Sequence, residues 1–386
     1  DVVRYADTAG ETADYPVPVA WRYRNYVIEA FNADKPYFEF VSEQIAGDLL
    51  ARNGPRERYA ERVAATGFLA ISRRFGFDSE NYHHLTLQDT IDTMGQTFLG
   101  LTLGCARCHN HPLEKYTQDD FYHFSAFFDR VTLDRKGPAD GATTLLTMSR
   151  EERERTQRLQ EAQTKLKDAE AKLLTLGYDG GTATPAAGPE GAKQLEGAQN
   201  EFRDRKREFT SKKRELAESR NRIPHAWQPR TQRDVEARPL DRQPMEFSAD
   251  TDPRAQLADW LTATNNTYFA GAMINRLWKH FLGTGLVEPV DDLRASNPPS
   301  NPELWALLSR EFVGSGYDLQ HVMRLILNSR TYQLSARTVR GNETDTRFYS
   351  HYYARRLPAE VIADAISAAT GVPDALLRSS CPMAEG

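Results

Sequence analysis

The residues of this chain that could most directly do chemistry are two cysteines and a histidine close together in the sequence. Cys105, Cys108 and His109 form a Cys-x-x-Cys-His motif, followed at one residue's distance by His111. This spacing is typical of c-type haem attachment, because two thiols about one helical turn apart can each bond one vinyl group of a haem. The next histidine is then placed to ligate the iron from the proximal side. The motif therefore predicts a covalent haem on Cys105 and Cys108, with His109 as axial ligand.

The same residues allow two other interpretations. Structural zinc takes four Cys and His ligands, so the two thiols with His109 and His111, or with histidines at positions 83 and 84, could hold a zinc ion. Alternatively, Cys105 and Cys108 could form a redox-active dithiol or a disulfide. A thioredoxin-like site expects a strand before it, however, and the residues preceding this motif follow a helical pattern. With only 3 cysteines and 9 histidines in 386 residues, chance is a poor explanation for the motif.

The second axial ligand of such a haem decides between two functions. Met94 precedes Cys105 by roughly three helical turns, about 16 Å, and reaches the same iron only if the helix bends back. The other candidates are His83, His84 and His123. A sixth ligand favours electron transfer, whereas an open position near Tyr122, His123 and His111 favours an oxidative enzyme. The zinc-bound or metal-free alternative is a non-catalytic scaffold that docks partners.

The segments that must position the motif have the pattern of helices. Before it, apolar residues at helical spacing form a stripe over residues 86–104, with glycines that allow close approach of another helix or a flat cofactor. After it, Thr117 and Asp120 have the spacing of a capping box. The helix that they open is rich in aromatic residues, which we interpret as core or as the wall of a haem pocket: Phe121, Tyr122, Phe124, Phe127 and Phe128.

The whole chain is predicted to be mainly α, with two helical domains separated by an antiparallel coiled-coil hairpin and a Pro-rich linker. Residues 1–149 form the first domain, which contains the motif. Residues 150–222 carry two seven-residue apolar repeats around a Gly-rich loop, typical of two antiparallel helices. Four prolines indicate a linker over residues 223–250. Residues 251–386 form the second domain, with helices expected to start at Asp252, Ser300 and Pro358.

Composition and charge argue against several classes of partner. The net charge is -5 and the isoelectric point about 6.1, so nucleic acid is not an expected partner. No apolar run approaches the roughly 20 residues that span a bilayer. The first residues have neither an initiator Met nor the pattern of a signal peptide, which we interpret as a fragment whose export signal lies upstream. Cys381 stands alone and predicts no site.

Several runs of the sequence resemble a planctomycete cytochrome-associated domain of unknown function, number 1549. These runs are residues 1–8, 21–26, 44–49 and 98–111, the last of which contains the motif. Runs in the second half resemble its usual companion, the domain of unknown function 1553, at residues 255–261, 275–278, 283–287, 302–304 and 355–360. The first family often has Asp between the two histidines of the motif region, whereas this chain has Asn110.

The resemblance implies an exported protein of the periplasm or cell envelope in a redox setting. In that family the pair usually follows a separate planctomycete cytochrome c domain. The expected redox partner is this upstream domain or a separate redox protein. The helical hairpin is a further candidate surface for a coiled-coil partner. The resemblance implies no particular reaction, so it leaves open whether the protein is an enzyme.

Overall fold

A computed structural model describes residues 2–11, 14–75, 83–129, 131–133, 146–147, 150–176, 188–220, 224–247 and 252–372. The prediction that the chain is mainly α is confirmed. The helices in the first half are α1 (Trp21–Asn32), α2 (Tyr37–Asn53), α3 (Tyr59–Ala65), α4 (Gly67–Ala70), α5 (His83–Met94), α6 (Gln118–Ser125) and α7 (Arg150–Thr175). Those in the second half are α8 (Gly188–Arg220), α9 (Pro253–Thr262), α10 (Thr267–Leu282), α11 (Pro302–Gly314), α12 (Leu319–Leu327) and α13 (Ala359–Thr370).

Several helices begin at the caps that the sequence predicts. Thr117 and Asp120 form a reciprocal capping box at the start of α6, and the Asp252 side chain accepts the backbone N–H of Arg254 at the start of α9. The prediction of Ser300 as the cap of α11 is wrong. Asn301 caps it instead, because its side chain accepts the backbone N–H of Leu304 at 2.9 Å and Pro302 then fills the first helical position.

Helices α1 to α6 and α9 to α12 contribute to one hydrophobic core. Tyr37 of α2 stacks on Phe269 of α10 with ring centroids 5.1 Å apart. Beside this contact, Arg254 of α9 donates to both carboxylate oxygens of Asp48 of α2 at 2.9 and 3.0 Å, and each side chain is only 3% exposed. The two predicted helical domains therefore share a core and a buried ion pair, while the predicted boundaries at residues 149, 222 and 250 stay predictions.

Helices α7 and α8, which we call the arm, pack against each other and not around that core. Lys172 lies 2.7 Å from Glu201, and Lys165 lies 3.7 Å from Glu208. Because the partner number falls as the residue number rises, the two helices run antiparallel. Their buried contacts involve Leu173, Leu195 and Ala198. Most of the predicted loop between them lies outside the described residues.

The segment that was predicted to be a linker because of its four prolines contains a β-hairpin. Strands β3 (His225–Gln228) and β4 (Arg233–Glu236) pair antiparallel, with His225 opposite Glu236. The hairpin lies on α6, because the Gln228 side chain donates to Asp119 at 3.0 Å and the Arg238 backbone N–H donates to the His123 carbonyl at 3.1 Å. Earlier in the chain, the short strands β1 (Thr132–Leu133) and β2 (Leu146–Thr147) also pair antiparallel.

No helix in the described ranges combines the length and apolar character that crossing a lipid bilayer requires.

Candidate cofactor site

The chain reaches the motif by reversing direction after α5. A π-helical turn, Gly95–Leu99, extends α5, and Gly100 then adopts the left-handed conformation with φ +62°. The following 3-10 turn, Gly104–Arg107, packs back on α5 so closely that a Cβ atom on Gly104 would lie 2.5 Å from a carboxylate oxygen of Asp92. Glycine at position 104 therefore allows the 3-10 turn to pack closely on α5.

This reversal is the bend that a Met94 ligand requires, but it does not bring Met94 to the motif surface. The Met94 side chain is fully buried, whereas Cys105, Cys108 and His109 are exposed. A thioether in the core can reach an exposed iron only if the core opens. His123 is half-buried, and its Nδ1 donates to the Glu236 carbonyl of β4 at 2.6 Å.

The motif holds both thiols at the surface on a turn that is anchored from below. Cys105 and Cys108 are exposed and form no disulfide, while Ala106 between them is 1% exposed and belongs to the core. Free cysteines are usually among the most buried residues of a protein. Two exposed thiols on one turn are therefore available for a covalent reaction with a partner or cofactor.

The ring orientation of His109 is set by its own backbone neighbour. Its Nδ1 lies 2.8 Å from the carbonyl oxygen of Asn110. A carbonyl only accepts hydrogen bonds, so Nδ1 carries the proton and the lone pair of Nε2 is free. Metal-ligating histidines commonly have this arrangement, since a hydrogen bond from one ring nitrogen to a carbonyl orients the other towards the metal.

His111, the second predicted metal ligand, has the opposite arrangement. Its Nδ1 accepts the backbone N–H groups of Leu113 at 3.2 Å and Glu114 at 2.9 Å. In the neutral ring the proton is then on Nε2, so neither nitrogen offers a free lone pair. The geometry favours His109 over His111 as a ligand, and His111 instead shapes the loop that follows the motif.

Residues on α6 fix the rest of this loop. The Asn110 side-chain oxygen accepts the backbone N–H of Gln118 at 3.0 Å, and the Gln118 side chain donates to the Arg107 carbonyl at 2.9 Å. An amide oxygen performs this task as well as a carboxylate would. Asn110 therefore makes the same loop contact that an Asp at this position would make.

A carboxylate with an unmet hydrogen-bonding requirement lies directly under the motif. Among the described residues, nothing donates to Oδ1 of Asp92, which is buried against Gly104. Burial raises the pKa of Asp92 from its ordinary 3.8 to about 6, and Asp89 raises it further while Gln88 and Arg107 oppose the shift. The Arg107 side chain donates to Gln88.

Tyr122 of α6 is a second titratable group beside the motif. Burial raises its pKa, the Cys108 thiol adds to this, and Arg107 opposes it. The four phenylalanines of the predicted aromatic stripe are all buried at 5% exposure or less and belong to the shared core. They are therefore core residues and form no open pocket wall at the motif.

The zinc alternative needs more ligands than the described residues bring together. No group of three or more His, Cys, Asp and Glu side chains in the described ranges is arranged to hold a metal ion. His83 and His84 lie in the first turn of α5, before the 3-10 turn that carries the thiols. A haem needs only the two thiols and one histidine from the protein, which the motif supplies.

Sequence reasoning missed Asp92 and Arg107 as residues of this site. Both are ordinary polar residues on helical segments, and their relation to the motif depends on the chain reversal at Gly100. The glycine at position 104 was the available signal, because a glycine directly before a reactive residue often marks a close approach by another part of the chain.

Two family models each match one part of the chain. Residues 1–133 match PSCyt2, described as a protein of unknown function (DUF1549), and residues 253–382 match PSD1, described as a protein of unknown function (DUF1553). The chain therefore carries this pair of regions, as the sequence runs predicted. The arm and the β3–β4 hairpin lie between the matched regions.

No curated protein and no solved structure matches the chain.

Proposed function

We propose that this protein binds a c-type haem covalently and transfers electrons in the periplasm or cell envelope. In this proposal Cys105 and Cys108 form the thioethers and His109 Nε2 ligates the iron. The observation that carries it is the orientation of His109. Its Nδ1 proton is held by the Asn110 carbonyl at 2.8 Å, which leaves Nε2 free next to two exposed thiols.

The protein's own groups have defined tasks in this proposal. Each thiol adds across one vinyl group, so that sulfur bonds one vinyl carbon and the S–H hydrogen moves to the other. Ala106 anchors the turn from the core side, and Gln118 holds the backbone carbonyl of Arg107. When bound, a haem would supply a one-electron iron centre with its potential set by ligand and surroundings.

Exposure of the motif supports electron transfer. Because the thiols and His109 are at the surface, a redox partner can approach the attached group closely. The expected partner is the cytochrome c domain that usually precedes this pair of regions, or a separate redox protein. Covalent haem attachment of this type also agrees with an exported protein.

The test is to express the chain with an export signal in a bacterium that has a haem maturation system. We expect a red protein whose haem stays on the polypeptide under denaturing conditions, with an alkaline pyridine spectrum typical of two thioether bonds. Replacement of Cys105 and Cys108 by Ala should remove the bound haem. His109→Ala should do the same or leave a centre with an altered axial ligand.

Two matched variants distinguish the motif from its neighbours. Cys381→Ala removes the remaining cysteine, and His111→Ala removes the histidine whose lone pair is already used within the loop. Both should retain covalent haem. A colourless, folded wild-type protein of unmodified mass, from cells that load a control cytochrome, would end the proposal.

A further inference from the structure

A second candidate site lies beside the segments that flank the motif. It is a cleft of about 620 Å³ between the chain around Leu101 and Tyr116, the segment 240–246, helix α9 and the start of α10. Its volume is within the range of roughly 300–1,000 Å³ typical of small-molecule sites. None of the residues that line it belongs to the Cys-x-x-Cys-His motif, so the inference from it does not depend on haem.

The floor of this cleft is apolar and partly aromatic. Leu101, Tyr116 and Leu240 are each 5% exposed or less and form its base, with Tyr268 and Met245 partly buried above them. A ligand in this cleft must therefore offer an apolar surface of its own. Burial of that surface would supply much of its binding free energy.

One face of α9 forms a wall of the cleft. Gln256, Asp259 and Trp260 line it at the spacing of one helical face, and Ala263, the first residue after the helix, lines it as well. The Trp260 indole N–H donates to Asp241 at 3.0 Å, and its ring meets Phe124 edge-on with centroids 6.1 Å apart. The ring is therefore held in a fixed position by a contact on each side.

The rim of the cleft is polar and mixed in character. Its exposed side chains are the carboxylates Asp241, Glu246 and Asp259, the amides Gln243 and Asn265, and the hydroxyl of Thr267. Carboxylates only accept hydrogen bonds, whereas amides and hydroxyls both donate and accept. The rim therefore matches a ligand with many hydroxyl groups. Three carboxylates against one ammonium, that of Lys115, disfavour an anionic ligand.

We propose that this cleft binds an uncharged saccharide of about two sugar rings. The C–H face of a pyranose would pack on the Trp260 ring, and its hydroxyls would donate to the rim carboxylates and exchange hydrogen bonds with the amides. A sugar is the ligand class that combines an apolar face with a dense array of hydroxyl donors. The rim charge selects against sulfated or carboxylated sugars.

The proposal is tested with the full chain by titrating cellobiose, N,N′-diacetylchitobiose and a sulfated disaccharide of similar size. We expect at least one neutral disaccharide to bind with a millimolar or lower Kd in calorimetry and to change the tryptophan fluorescence. The sulfated sugar should bind at least tenfold more weakly. Asp259→Asn and Trp260→Ala should each raise the Kd for the neutral sugar tenfold or more.

The controls separate a binding role from a structural one. Asp259 is exposed, so Asp259→Asn tests the site without opening the core, whereas Trp260→Ala also removes packing on Phe124. Asp364→Asn changes an exposed carboxylate on α13 and should leave binding unchanged. Trp260→Phe should retain part of the affinity but lose the fluorescence change. Absence of binding by both neutral disaccharides, equal binding of the sulfated sugar, or an unaffected Asp259→Asn variant would overturn the proposal.

Discussion

Two aspartate side chains, one at the junction of the matched regions and one under the motif, differ in their hydrogen bonding. Asp48 is 3% exposed, and both of its oxygens accept hydrogen bonds from Arg254. Asp92 presses against Gly104, and its buried Oδ1 accepts none from the described residues. A buried charge stabilises a fold only when it is paired and fully hydrogen-bonded.

The difference separates a region built for stability from one in which stability is compromised. The junction has a bidentate ion pair, a third contact from Arg254 to the Ile45 carbonyl at 3.3 Å, and stacked aromatic rings nearby. Directly beneath the motif, a carboxylate is kept where its charged form is disfavoured. The carboxylate beneath the motif therefore costs stability, whereas the carboxylate at the junction is fully paired.

The largest effect is expected from breaking the junction. Among the described residues, Asp48→Asn leaves Asp252 as the one ionic partner of the buried Arg254 guanidinium, so the free energy of unfolding should fall by about 3 kcal/mol. Urea denaturation followed by circular dichroism measures this loss. Glu201→Gln breaks the exposed Lys172–Glu201 pair of the arm and should lower the free energy of unfolding far less. Equal losses in the two variants would refute the assigned role of the junction.

A smaller effect of opposite sign is expected at Asp92. Its pKa is raised from 3.8 to about 6, so between these values the folded protein holds a proton that the unfolded chain has released. Stability therefore falls as the pH rises through this window, and the full cost is present above about pH 6. Asp92→Asn should remove this cost and raise the free energy of unfolding at pH 7.5, by less than the roughly 3 kcal/mol to which the full pKa shift corresponds.

The control for Asp92 is the same measurement at pH 3, below both pKa values, where the carboxyl group is mostly protonated in the folded and in the unfolded state. There the variant and the wild type should differ little. Asp364→Asn, at an exposed helical carboxylate, should show no such pH-dependent gain. A constant difference between Asp92→Asn and wild type from pH 4 to pH 8 would contradict the raised pKa.

The smallest effect is expected from Gly104→Ala. The added Cβ would meet the Asp92 carboxylate at 2.5 Å, and this short side chain must shift to make room. Overpacking of this kind costs roughly 1 kcal/mol or somewhat more. Thermal unfolding of Gly104→Ala, Asp92→Ala and the double variant gives the coupling energy between the two positions. If the two changes are additive, Gly104 and Asp92 do not press on each other as described.

Local signals in the sequence predicted the helices well. The capping box at Thr117 and the aspartate before Pro253 each satisfy backbone N–H groups within one turn, so their effect does not depend on distant residues. Position 300 shows the limit of this reasoning, because Ser300 and Asn301 are both good caps. Only the path of the backbone decides which of the two side chains reaches the N–H of Leu304.

The motif could be predicted from the sequence, but its surroundings could not. The identity and spacing of Cys105, Cys108 and His109 are local facts. The free Nε2 of His109 depends on a hydrogen bond that no pattern predicts, and Asp92 comes under Gly104 only through the reversal at Gly100. The hairpin was missed for a related reason, since prolines that flank two short strands have the same composition as a linker.

The shared core has a consequence for how the protein is made. Tyr37 stacks on Phe269, a residue that emerges from the ribosome more than two hundred positions later. The aromatic side chains of α2 therefore stay exposed to solvent until the PSD1 region has been synthesised. A chain with such exposed apolar surface can aggregate or bind chaperones. Residues 1–133, although a natural unit by sequence, form only part of a folding unit when produced alone.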